Sequence, residues 1–139
     1  MSDFNALFTG RLWSVMSWEQ LDAFWQRIDP AADWYVYAVG ETPPSNPATA
    51  ESVSAFIAQI DALLHKEHHH DYCGIVYADN LETPGFVKIF DPNNLGVSCG
   101  FSDNPPLPGW ILCRVPPEDL KPAGPLPEGR KRWWRTLFG

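Results

Sequence analysis

Proline placement constrains this chain more than any other feature of its sequence. Fourteen prolines stand among 139 residues, and most fall in three stretches, GETPPSNPATAES (40–52), SDNPPLPGW (102–110) and PPEDLKPAGPLPEG (116–129). Proline donates no backbone hydrogen bond and blocks a helix interior, so neither a long helix nor a continuous ladder can cross these stretches. The regular structure must be built from the short segments between them.

Those segments carry two periodicities. Ser17 opens SWEQ, a capping box in which the Ser17 hydroxyl accepts from the amide of Gln20 while Gln20 reaches back to the cap. Trp18, Leu21, Phe24, Trp25 and Ile28 follow at helical spacing. The pattern predicts a helix over about 18–28 with Glu19, Gln26 and Arg27 turned to water, ended by Asp29-Pro30. A second helix is predicted from near Thr49. It places Val53, Phe56, Ile57, Ile60, Leu63 and Leu64 inward and Glu51, Ser54 and Asp61 outward, and it fades in HKEHHHD. WYVYAV (34–39) is rich in aromatic and β-branched residues on both faces, which predicts a central strand. CGIVYAD, FVKIFDP, GVSCGF and GWILCRV read as four further short strands separated by turn signals, and their short connections favour antiparallel pairing.

The expected fold class is therefore α+β, with two helices packed on one face of a mostly antiparallel sheet of about five strands. Residues 1–115 form the domain, 116–129 an extended proline-rich linker and 130–139 a short basic aromatic tail. Hydrophobic residues at 45% and charged residues at 19% supply enough apolar material for one core and exclude wholesale disorder. Cys73, Cys99 and Cys113 are odd in number and widely spaced, which suggests reduced thiols. No stretch reaches the roughly 20 apolar residues of a bilayer span, and MSDFNALFTGRLW lacks the signature of a signal peptide, so a cytoplasmic location is expected.

Charge is distributed unevenly. The chain carries 10 Lys and Arg against 17 Asp and Glu, a net charge of −7, yet four of its bases are Arg130, Lys131, Arg132 and Arg135. Without them the body has six bases against seventeen acids, a charge of −11. On a helical wheel Trp133, Trp134, Leu137 and Phe138 share one arc and Lys131, Arg132 and Arg135 the other, with Arg130 intruding on the aromatic side. Such a segment suits a groove on a partner protein, an anionic membrane surface, or the acidic body itself. Nucleic acid is disfavoured, because phosphate binding is dominated by cationic surface and the body is acidic. The expected function is that of a small accessory or regulatory protein. It would bind an unidentified protein partner through Arg130, Lys131, Arg132, Trp133, Trp134, Arg135, Leu137 and Phe138 together with the DPNN and PPLPG loops.

Three other clusters carry weaker signals. If the second helix continued, His65 and His69 would stand four residues apart on one face, and with Asp71 or Cys73 they could ligate a metal ion. Asp91, Asn93 and Asn94 offer carboxylate and amide groups as a ligand rim at the DPNN turn. Cys99, in GVSCGF, would be a nucleophile only if one of the histidines reached it as a base. These make a small enzyme or metal-binding protein the alternative. No Walker glycine loop, GxGxxG or GxSxG occurs, so no cofactor is implied.

Overall fold

The computed structural model describes residues 3–68, 73–92, 107–120 and 128–138. Four helices and five strands follow in the order α1 (Asp3–Phe8), β1 (Trp13–Val15), α2 (Trp18–Trp25), β2 (Tyr35–Ala38), α3 (Ala50–Glu67), β3 (Val76–Ala78), β4 (Phe86–Ile89), β5 (Trp110–Cys113) and α4 (Glu128–Phe138). The strands form one sheet in the order β1-β3-β4-β5-β2, and every neighbouring pair is antiparallel. The α+β class is as the sequence indicates.

Local chemistry sets the helix ends. Ser17, in extended conformation, accepts at 2.9 Å from the Gln20 amide, and Gln20 Oε1 accepts from the amides of Ser17 and Met16. Two of the four amides that the start of α2 leaves unpaired, those of Ser17 and Gln20, thereby find acceptors. Beyond Trp25 the chain tightens into i→i+3 bonds, Arg27 to Phe24 and Ile28 to Trp25, which carry Ile28 into the core just past the helix. Thr49 caps α3 through its hydroxyl, and Val53, Phe56, Ile60, Leu63 and Leu64 line the buried face.

The sheet is covered on both sides. Along β5, Trp110 and Leu112 face the layer that contains α2 and α3, while Ile111 and Cys113 face the layer that contains α1. All four residues are buried. The first layer holds the larger cluster, including Leu21, Phe24, Trp25, Trp34, Phe56, Ile60, Val87 and Ile89. The second is smaller: Phe4, Tyr37, Val39, Phe86, Ile111 and Cys113, with Leu7, Phe8, Leu107, Val115 and Leu120 packed against them.

Three details differ from the sequence reading. The strand within WYVYAV lies at the sheet edge beside β5, not in the middle. It is apolar on both faces because each face has its own cover: Val36 and Ala38 pack in the α2–α3 layer, and Tyr37 and Val39 in the α1 layer. The N-terminal segment, given no element from sequence, supplies both α1 and edge strand β1. GVSCGF lies outside the described residues, so the five strands found include β1 in its place.

Candidate functional site

The C-terminal helix is where side-chain chemistry concentrates. α4 begins at Glu128, two residues ahead of the expected tail, and packs against α3 on the larger core layer. Trp133, Trp134, Leu137 and Phe138, the aromatic arc read from the wheel, are the apolar side chains of α4 packed on the body. Trp133 meets Trp110 of β5 edge-on at 5.4 Å between ring centres, and Phe56 of α3 receives Trp133, Trp134 and Phe138 at 6.3–6.5 Å. Trp134 stacks on Phe138 at 4.3 Å. Each ring remains partly exposed. The tail's apolar arc thus packs on its own domain as a docked helix, one of the three placements its sequence allows.

Arg130 explains why one base intrudes on the aromatic arc. Its guanidinium donates twice to Glu67 at the end of α3, at 2.8 and 3.1 Å, and twice to Asp91 beyond β4, at 2.7 and 2.9 Å. The same group lies 5.9 Å from the Trp110 ring centre. Its planar fork suits two carboxylates at once in a way an ammonium does not. The Asp91 hydrogen bonds, ahead of those to Glu67, hold it charged more firmly than an ordinary arginine, although burial opposes this. Gly109 borders the clamp, because a Cβ there would stand 3.2 Å from the Asp91 Cβ. A crevice of about 20 Å³ between Asp91, Gly109, Trp110, Arg130 and Trp134 has room for little more than one water.

Asp91 therefore serves as an anchor for α4, not as part of an open ligand rim; Asn93 and Asn94 lie outside the described residues. Lys131 lies at the margin of the contact, while Arg132 and Arg135 are exposed on the outer arc.

The histidine arrangement also changes. α3 stops at Glu67, and His68 is its C-cap with non-helical backbone (φ −103°, ψ 96°). The continuous helix that would set His65 and His69 on one face does not form; His69 and Asp71 lie outside the described residues. The buried His68 places Nε2 2.8 Å from the Cys73 carbonyl and so fastens the chain where it leaves the helix. His65 turns elsewhere, its ring tilted against Trp18 with centres 4.3 Å apart and its Nε2 lying 3.4 Å from Asp61 Oδ1. Asp22 of α2 joins them, with one ligand atom from each residue inside a 4.8 Å sphere of separation. Sequence reasoning missed this grouping because Asp61 was placed on the outward face of its helix and Asp22 was not singled out at all.

Among the cysteines, Cys73 and Cys113 are buried, and burial raises both thiols, Cys113 to about 12. Cys99 lies outside the described residues. On the smaller layer, Ser14, Tyr77 and Lys88 sit side by side across β1, β3 and β4. The Ser14 hydroxyl is the buried side-chain polar atom without a hydrogen-bond partner among the described residues. Burial lowers Lys88, whose ammonium lies 3.8 Å from the Phe8 ring centre. Comparison with known protein families, curated sequences and solved structures found no match.

Proposed function

We propose that the domain is a non-catalytic, cytoplasmic binding module, an accessory or regulatory protein that recognises an acidic surface on a protein partner through the outer arc of α4. The observation that carries this reading is the division of labour on that helix. Its rings and Arg130 are turned to the body, while Arg132 and Arg135 are held exposed on a chain of net charge −7. Folding α4 onto a rigid layer presents the bases in fixed geometry, which lowers the entropy lost on binding compared with a free tail. It also sets a local cationic strip against an acidic background, a pattern that favours orientation and association rate. The described residues include no helix long and apolar enough to cross a membrane.

The test is affinity capture with the full chain and with an Arg132→Glu/Arg135→Glu variant of unchanged circular dichroism. The reading expects a stoichiometric protein partner kept by the wild type and lost by the variant. Equal capture by both, or binding of the wild type to anionic vesicles alone, would overturn it.

A further inference from the structure

We infer that Asp22, Asp61 and His65 form a surface site for a divalent first-row transition ion such as zinc. This site is separate from α4, and its fate does not depend on the binding reading above. The three side chains come from two helices: Asp22 projects from α2, and Asp61 and His65 stand one turn apart on α3. One ligand atom from each lies within 4.8 Å of the other two. Metal–nitrogen and metal–oxygen bonds of about 2.0–2.1 Å in tetrahedral geometry put neighbouring ligand atoms about 3.4 Å apart. His65 Nε2 and Asp61 Oδ1 already stand at 3.4 Å.

The ordinary explanation, an i,i+4 ion pair on one helix, accounts for Asp61 and His65 but not for Asp22. A second carboxylate brought from α2 to the same point opposes Asp61 by like charge, and a divalent cation between them reverses that sign.

Two groups from outside the cluster orient it. The Trp25 indole N–H donates to Asp61 Oδ1 at 3.0 Å. Trp18 covers one face of the His65 ring at an interplanar angle of 31°, so the imidazole plane is held. Outer partners of this kind, fixing a ligating carboxylate and imidazole, are characteristic of metal centres. One imidazole and two carboxylates with no thiolate suit zinc, cobalt or nickel better than copper(I) or calcium. Asp22 and His65 are exposed and Asp61 is half-buried, so water completes the coordination sphere and the ion exchanges with solvent.

The experiment uses the untagged full-length chain, titrated with zinc in a non-coordinating buffer by calorimetry, with cobalt absorption as the spectroscopic reading. One equivalent is expected to bind. Asp22→Asn, an exposed change whose fold is checked by circular dichroism, weakens binding at least about tenfold, as does His65→Gln. Trp25→Phe keeps an aromatic ring at this buried position and removes the donor, and with the fold checked in the same way it weakens binding about tenfold. His69→Ala/His70→Ala leaves it unchanged. The inference is overturned by the absence of stoichiometric binding, by an affinity that Asp22→Asn leaves unchanged, by binding lost in the His69/His70 variant, or by a cobalt thiolate charge-transfer band.

Discussion

Replacing Arg130 by methionine tests the clamp that fixes α4. The substitution keeps an apolar stem against Trp110 and removes four hydrogen bonds to Glu67 and Asp91. Breaking a fully buried pair by deleting one partner costs about 3–5 kcal/mol, because the remaining charge is left without compensation. Here the side chains of Arg130, Glu67 and Asp91 are 17%, 24% and 13% exposed, so water relieves part of that penalty. A loss of about 2 kcal/mol follows once exposed pairs are weighed at 0–1 kcal/mol. For a chain of this size that lowers the thermal midpoint by about 6 °C. Urea unfolding followed by tryptophan fluorescence reads the change, and the emission of Trp133 and Trp134 should shift to the red as α4 loosens. Arg130→Lys retains the charge but not the fork and should recover less than half of the loss. A cycle with Glu67→Gln should give a coupling of about 1 kcal/mol or more. Arg130→Met within about 0.5 kcal/mol of wild type, the range of an ordinary surface change, would refute the clamp.

Four further outcomes are expected. Ser17→Ala removes the hydroxyl of the capping box and should cost about 1 kcal/mol in urea unfolding. Asp79→Ala frees the Gly85 and Phe86 amides, which its Oδ1 accepts at 2.9 and 3.0 Å, and should cost about 1–2 kcal/mol, measured in the same way. Cys113, raised by burial from 9.0 to about 12, keeps its proton in the folded chain while the unfolded thiol ionises. Its contribution is therefore intact below pH 9 and is lost as pH rises towards about 12, so Cys113→Val should flatten the alkaline fall in stability. In native protein, Cys73 and Cys113 should react with a disulfide reagent only as fast as the chain opens, read by peptide mapping of the labelled thiols.

Signals carried within one turn or one helix were legible from the sequence. The Ser17–Gln20 box, the Phe56–Ile60–Leu64 stripe and the Trp133–Trp134–Phe138 arc all appear where periodicity puts them. Elements too short to show a period were not: α1 has six residues and β1 three. Pairing order was equally hidden. β2 joins β5 across more than seventy residues, and an apolar strand looks the same whether it lies inside a sheet or at an edge covered on both sides. The clamp and the Asp22–Asp61–His65 group share this origin. Arg130 meets partners 39 and 63 residues away, and Asp22 lies on a different helix from the other two members of its group. Such groupings exist only after the layers pack.

Removing residues 128–139 and measuring the unfolding free energy probes most directly whether α4 belongs to the domain. Four large apolar side chains, each partly buried, contribute about 1 kcal/mol apiece when scaled from the 1.5–3 kcal/mol of full burial, and the clamp adds about 2. The truncated chain should lose several kcal/mol and a matching share of its thermal midpoint. An unchanged midpoint would mean that the helix rests on the body without holding it together, and would contradict the account.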